Sequence, residues 1–460
     1  MSSITSTSNP GLGVVVRIKP MGAGGGGGER SAVGSSSSIQ YSNSNSSIDV
    51  ATKQGGKTYA YPSSVVLPTT DNAAMFDQFM PPRIDGFLEG YNVNVMAYGQ
   101  TGSGKTHTVF GPPGILSRAG AGEYGTEIHP DYGLFPRGVL TIFRKVAELR
   151  KLQPGKTFVL TCAAVELGMT GNEDMFDKSG TSTIKVQGTK MEKAQLGGIA
   201  GGVALSNVTK PPSMYGMNQL ILEEEIDVLK AFTALSVRNT AGTGMNDSSS
   251  RSHCFAWLNL YVCNSSTDEV TTTRFQFCDL AGSERMKNAH GGFSWNSASE
   301  AQLTGVMTNY SLMMLGQAVV DIVDSRKKGG KIDAFRAYKV DLIPLLSESL
   351  TGTALTFMFV CLSQAPGNAS QSVFAMDFGE KFSQLTIRKR KVRSKQRQGI
   401  VSKIEKELNA NLNALATSKA AKTNKYSLIR AAMVRDCQTM LRIYERLVRD
   451  DDGDGKGMKK

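Results

Sequence analysis

The stretch "MAYGQTGSGKTHTVFGP", Met96 to Pro112, decides how the rest of the chain is read. From Gly99 to Thr106 it fits G-x-x-x-x-G-K-[ST]. The preceding "YNVNVMAY" alternates Val93 and Val95, which predicts a strand, and Lys105 can open a helix. Strand, glycine turn and helix start together describe a phosphate cradle. Gly99, Gly102 and Gly104, with Gln100, Thr101 and Ser103 between them, let backbone N–H groups converge on phosphate oxygens without Cβ clashes. The helix N-terminus adds the positive end of its dipole. Lys105 is expected to reach the β- and γ-phosphates, and the Thr106 hydroxyl to ligate Mg²⁺. The plainer alternative, a flexible glycine turn, does not explain the strand in front of it.

Composition bounds the rest. The 460 residues, 40% of them hydrophobic, suffice for one large domain with appendages. A net charge of +12 points to an acidic partner: nucleic acid, an anionic membrane or an acidic polymer such as a microtubule. The six cysteines are scattered without a C-x-x-C pair, and with four histidines there is no zinc-site spacing, so reduced thiols are expected. The longest apolar runs, such as "FMFVCL" at 357–362, are too short to span a bilayer, so no membrane is expected. The polar start "MSSITSTSNP" lacks the apolar core of a signal peptide.

Along the chain, "LGVVVRIKP" (12–20) reads as a strand ended by Pro20. The Gly/Ser/Asn tract at 21–48 is too polar to bury surface and is expected to be a disordered insertion, like the termini 1–11 and 450–460. Strands are expected at 156–167, 253–263, 272–280 and 354–362, and a helix at 223–238. Strands interleaved with helices argue an α/β domain with a central sheet. After residue 385 the pattern changes. "RKRKVRSKQR" (388–397) has seven basic residues in ten. Ile400, Ile404, Leu408, Leu412 and Leu415 then recur at helical spacing, and Tyr426, Ile429, Met433, Met440, Ile443 and Leu447 at near-heptad spacing. This stretch, 400–449, is either a short coiled coil giving a homo- or heterodimer, or two helices packed on the domain before it.

Two further motifs complete a nucleotide site. "NDSSSRSH" (246–253) offers adjacent hydroxyls, an arginine and a histidine. "DLAGSER" (279–285) follows an apolar strand, so Asp279 stands where a Mg²⁺-associated carboxylate is kept and Gly282 can approach a terminal phosphate. Arg251 and Glu284 are candidate partners when the two loops close.

Together "GQTGSGKTHT", "NDSSSRSH" and "DLAGSER", in this order and spacing, resemble the motor domain of kinesins. "VVVRIKP", "GLFPRGVLTIF" (133–143), "SLMMLG" (311–316), "SESLTGTALT" (347–356) and "FAMDFGEKFSQL" (374–385) extend the resemblance over residues 12–385. It implies a central, mostly eight-stranded sheet flanked by helices, followed by a basic neck or linker (386–399). It also implies ATP with Mg²⁺ as cofactors, and ATP hydrolysis coupled to movement on microtubules. Arg17 and Pro20 would frame the adenine and His107 stack on it, with Lys19 in place of a usual arginine. Ser250 would complete the Mg²⁺ shell with Thr106 and Asp279, and Ser249 position the attacking water. Gly282 would sense the γ-phosphate, and Arg251 and Glu284 form the closing salt bridge. The setting would be the cytoplasmic cytoskeleton, with the nucleus or spindle as a second location.

The presumed track side departs from the family pattern. Thr304 and Thr308 stand at substituted positions, Asn309, Ser311 and Leu312 are kept, and Val340 and Asp341 replace a Ser-Lys pair. These changes are expected on the surface meeting tubulin, where Arg326, Lys327, Lys328, Lys331, Arg336 and Lys339 could supply replacement charge. The basic run at 388–397 reads as the start of a neck linker, a nuclear localisation signal, a second electrostatic tether or a solvated linker. Three functions follow: a microtubule-stimulated ATPase motor, which the motifs favour; a non-motile kinesin-like subunit of a microtubule- or chromosome-associated complex; and a nucleic-acid-binding ATPase, which the switch motifs disfavour.

Overall fold

The computed structural model describes residues 11–21, 37–42, 47–168, 171–176, 196–197, 213–214, 217–239, 251–284, 300–329, 340–417 and 425–448. Its central sheet contains β1 (Leu12–Ile18), β2 (Ser64–Val66), β3 (Val93–Tyr98) and β4 (Lys156–Gly168). It continues with β5 (Leu220–Ile221), β6 (His253–Asn264), β7 (Glu269–Asp279) and β8 (Leu355–Leu362). The order across the sheet is β5-β4-β6-β7-β3-β8-β1-β2, with short strands Gly171–Asp174 and Lys395–Gln396 added beside it. From β7 to β2 all pairs are parallel; from β7 back to β5 they are antiparallel. The expected strands therefore all form, within a few residues of their sequence bounds.

Every residue of β3 is buried, as a parallel strand covered on both faces requires. Behind it the chain enters α1 (Lys105–Val109). One face of the sheet carries α2 (Leu134–Leu152) and α3 (Glu225–Leu235). Side chains of alternating strand positions, among them Val95, Phe275, Phe277 and Phe359, meet this layer. The intervening positions, among them Met96, Tyr98, Cys278 and Val360, face α4 (Glu300–Lys327) and α5 (Ala369–Ser383). The helix expected at 223–238 starts later, because Glu224 and Asp227 form a capping box, and it ends in a 3₁₀ turn at Ser236–Asn239.

The tract read as a disordered insertion is partly structured. Ile39–Ser42, Ser47–Thr52 and Gly55–Tyr59 form a three-stranded antiparallel sheet. Ile39, Ile48, Val50 and Tyr59 are buried in the same core as α5, and the Tyr59 hydroxyl donates to Asp377 at 2.7 Å. Averaging over a long polar window concealed this short apolar alternation. Residues 22–36 and 43–46 lie outside the described residues.

The basic run forms an extended strap along the domain. Ile387 is buried. The backbone N–H groups of Arg388, Arg390 and Val392 donate to Gly352, Thr353 and Gly90 at 2.7, 3.3 and 2.8 Å. Lys395 and Gln396 pair antiparallel with Val270 and Glu269 of β7. The side chains from Arg388 to Lys391 stay exposed, with Lys389 and Lys391 over the Tyr91 ring. Next come α6 (Arg397–Thr417) and α7 (Lys425–Glu445), which lie against the far end of the sheet. Ile404, Ile443 and Leu447 are buried there, so part of the apolar spacing that suggested a coiled coil is covered by the chain's own sheet, while Leu412 is exposed. The side chains of Tyr426 and Ile429 lie outside the described residues.

Phe277 is 1% exposed, stacks on Phe275 with centroids 4.8 Å apart, and meets Phe135 edge-on at 5.5 Å. Phe277→Ala removes the contact that seats α2 on the sheet. It is expected to cost about 3–5 kcal/mol of stability, read from the shift of the urea midpoint.

Candidate functional site

The site lies at the C-terminal ends of β1, β3, β7 and β8, where open α/β sheets take their ligands. The loop after β3 turns sharply at Gly99, whose φ is +148° and where a Cβ would stand 2.3 Å from the Cys361 carbonyl oxygen. Only glycine fits there. Gly102 and Gly104, also at positive φ, face open space within 4 Å. Lys105 is buried and donates from Nζ to the Gln100 carbonyl at 2.8 Å. Burial lowers its pKa, as expected of an ammonium with one carbonyl partner. Lys19 spans the cleft and donates to the Gly102 carbonyl at 2.9 Å.

The Thr106 hydroxyl donates to Asp279 Oδ2 at 2.8 Å. Asp279 Oδ1 is buried without a hydrogen-bond partner among the described residues. A hydroxyl and a carboxylate with a spare oxygen, beside an open glycine cradle, fit a Mg²⁺–nucleotide. Arg238, on the 3₁₀ turn after α3, lies under this pair. Its Nε is 3.5 Å from Asp279, and Nη1 donates to Glu166 at 2.9 Å and to Ser252 Oγ at 2.6 Å. One buried guanidinium therefore joins the ends of β4, β6 and β7.

His253, first residue of β6, is buried between the motifs. Its Nδ1 accepts from the Ala281 N–H at 3.1 Å, and its Nε2 lies 2.8 Å from Ser311 Oγ on α4. Ser311 donates to the Thr308 carbonyl at 2.7 Å, and Thr308 Oγ1 donates to the Arg251 carbonyl at 2.5 Å. The ring proton is thus fixed on Nε2, and both switch motifs are bonded to one helix. Burial first, then the charges of Arg238 and Lys105, push the His253 pKa down to about 3.

At the other end of the cleft Arg17 donates to Thr108 Oγ1 at 2.8 Å and to Asn72 Oδ1 at 2.7 Å. Asn72 in turn donates to the carbonyls of His107 and Asp131. Arg17 therefore braces the floor, while Pro20 and His107 stand on the exposed rim. Surrounding protein, then Arg17, lowers the His107 pKa to about 4, leaving a neutral ring suited to stacking.

The structure brings together the phosphate loop, Thr106, Asp279, Gly282 and Glu284. Ser249 and Ser250 lie outside the described residues. The expected pairing of Arg251 with Glu284 is not present. Glu284 instead accepts from the Thr101 N–H at 2.8 Å and from its hydroxyl at 2.6 Å, so its carboxylate sits on the loop meant for phosphate. Of the departures assigned to the track surface, those at Thr308 and Val340 are corrected. Thr308 and Ser311 belong to the histidine network, Val340 is buried, and Asp341 accepts from Asn172 at 2.5 Å. Arg326 is tied inward, donating to the carbonyls of Thr386 at 2.5 Å and Thr351 at 2.7 Å. Lys327 and Lys328 are exposed, whereas Lys331, Arg336, Lys339 and the side chain of Thr304 lie outside the described residues. Sequence reasoning missed Arg238 and Glu166; the only signal was a charge in each of two segments far apart in the chain.

Comparison with known proteins agrees with this geometry. The family model of the kinesin motor domain matches residues 17–385. Chromosome-associated kinesin KIF4 of Xenopus laevis is 28% identical over 330 residues, covering 70% of this chain and 23% of its own. Kinesin-like protein klp-12 of Caenorhabditis elegans is 29% identical over 388 residues, covering 78% and 21%. The chain thus spans under a quarter of the length of these relatives. Among solved structures, that of a fast kinesin superposes with a TM-score of 0.63 at 20% identity, covering 85% of this chain and 96% of the other. The motor domain of the Kar3-like kinesin from Ashbya gossypii gives 0.57 at 21%, covering 81% and 99%.

The two depressed histidines set a pH dependence. The unfolded chain gains both protons as the pH falls through about 6.5, whereas the fold holds His107 and His253 neutral to about 4 and about 3. Stability contributed by the neutral rings is therefore full above pH 6.5 and is lost as the pH falls below it. His253, being buried, should contribute a slope of up to about 1.4 kcal/mol per pH unit, and exposed His107 less. Urea midpoints from pH 7 to 5 should fall more steeply for the wild type than for His253→Gln.

Proposed function

Because the chain belongs to the kinesin motor domain family, we propose that it binds Mg²⁺–ATP at the glycine loop and couples hydrolysis to movement or force on microtubules. The observation that carries this reading is the bonded path from the phosphate loop to α4. Lys105 and Thr106 start from β3, Asp279 and Ala281 from the end of β7, and His253 joins Ala281 to Ser311. A change at the loop therefore has a mechanical route to a 28-residue helix, about 42 Å long at 1.5 Å per residue.

Bound Mg²⁺–ATP supplies the phosphoryl group and a metal that neutralises its charge. Lys105 turns from the Gln100 carbonyl to the phosphates, and Thr106 and Asp279 hold the metal side, with Ser250 as the further ligand. Ser249 positions the water. Glu284 leaves Thr101 when phosphate needs that N–H and takes Arg251 as its partner, which closes the site and lets Gly282 approach the terminal phosphate. His107 offers a neutral face to the adenine above the Arg17 brace. Catalysis in this scheme is positioning and charge stabilisation.

The inward places of Thr308 and Val340, and the bond from Asn172 to half-buried Asp341, weaken one reason for assuming an altered track contact and so support the motor reading over a non-motile subunit. Acidic tubulin is met by exposed charge, for which Lys327 and Lys328 at the end of α4 are placed. The working location is the microtubule cytoskeleton.

Steady-state ATPase assays with and without microtubules test the reading. The wild type should turn over ATP faster with microtubules, and Lys105→Ala should lose turnover in both conditions. Wild-type turnover in that variant would remove the site from this loop.

The Lys327→Ala/Lys328→Ala variant should pellet with microtubules several-fold more weakly, yet keep its basal ATPase. The wild type should lose affinity as salt rises, since exposed charges are screened within about 8 Å at physiological ionic strength. Binding that is indifferent both to salt and to these lysines would place the contact elsewhere.

A further inference from the structure

We infer that the C-terminal helix pair α6–α7 is a detachable brake: seated on the sheet it pins the basic strap, and through the strap it restrains α4. This goes beyond the motor reading and does not depend on it.

The strap is fixed at two ends. At its start the Thr386 carbonyl accepts from Arg326, in the last turn of α4. At its finish the Arg397 N–H donates to the Asp268 carbonyl at 2.8 Å, and the Arg397 side chain pairs with the Asp268 carboxylate at 2.6 Å. Arg397 is also the first residue of α6, so the helix pair is the strap's anchor. Between these ends the strap holds by buried Ile387, by isolated main-chain bonds to Gly352, Thr353 and Gly90, and, next to the anchor, by the short pairing of Lys395 and Gln396 with β7. Each such bond contributes little net, because water competes for the same groups in the open state, and a run of exposed like charges repels itself. A strap of this kind needs its anchor.

The anchor is built to come off. Val159, Tyr261 and Val270 of the sheet meet Ile404, Ile443 and Leu447 in a cluster separate from the two cores that hold the motor. A buried polar band borders it. Asn259 donates to Thr161 at 3.4 Å and to Gln219 at 3.3 Å, Arg274 donates to Asn259 at 3.1 Å, and the Tyr261 hydroxyl donates to Gln219 at 3.4 Å. Water can satisfy these groups when the helices lift, whereas a continuous apolar core could not be opened so cheaply. At the outer edge the pair is held by Arg446 to Glu223 at 2.5 Å, an exposed ion pair that salt weakens.

Backbone amide hydrogen exchange on the full chain, without nucleotide or microtubules, tests the brake. Ile443→Asp places a charge in the small cluster; Leu447→Ala is the milder variant should the first disturb folding. Protection in β3 serves as the internal control for an intact core. With the helix pair loosened, the amides of Arg388, Arg390 and Val392 should exchange at least about 10-fold faster while β3 is unchanged. If α6 and α7 exchange freely and these three amides keep wild-type protection, the strap holds itself and the brake is wrong. It is equally wrong if the three amides are already unprotected in the wild type. Because no ATP is used, failure of the ATPase assay leaves this test untouched.

Discussion

A single imidazole ties the end of β7 to the long helix α4. His253 accepts from the backbone of one nucleotide motif and lies within hydrogen-bond reach of Ser311 on the long helix α4. Both bonds require the neutral ring with its proton on Nε2. Burial keeps it neutral, and so do the neighbouring cations Arg238 and Lys105. The cations beside the cradle therefore help to keep neutral the ring whose tautomer is set by the Ala281 N–H and Ser311. Take away the burial and the imidazole would titrate near neutral pH, and that connection would depend on the medium.

The charges inside the cleft follow a similar economy. Lys105 and Arg238 are both buried, and Asp279 and Glu166 answer them. The set is balanced as it stands. A polyphosphate would add negative charge to this set, and buried charge without compensation is strongly unfavourable. Glu284 on Thr101 fits the same view: an anion already rests on the loop amides and must be exchanged for another.

How much could be read in advance depended on how local the signal was. The glycine loop, the strand before it and the apolar strands β4, β6, β7 and β8 were legible because their chemistry is written in consecutive residues. The three-stranded sheet at 39–59 was not, because Ile39, Ile48 and Val50 are sparse among serines and glycines and bury only against α5 and its surroundings. The substituted positions Thr308, Val340 and Asp341 were assigned to the outside by analogy. Their burial depends on which side of α4 and its neighbours faces the core, and that is set by packing across the fold. Arg238 and Glu166 were hidden for the same reason: they are 72 residues apart in sequence and meet only when β4 and the turn after α3 converge. The helical spacing of 400–447 was correctly seen as amphipathic, but spacing cannot say whose surface covers the apolar face.

The order of the strands also has a consequence for how the chain is made. β1 lies between β2 and β8, and Leu12 pairs with Thr356. A ribosome adding about 5–20 residues per second releases β1 on the order of tens of seconds before β8 exists. Through that interval the apolar run Val14–Val16, fully enclosed in the finished sheet, has only the three-residue β2 as a neighbour. A strand made early is thus among the last to find both partners. Until β8 emerges, nascent chains of this protein carry an unfinished sheet edge, and a chaperone that covers residues 12–18 would act on a segment whose pairing waits for a strand far along the chain.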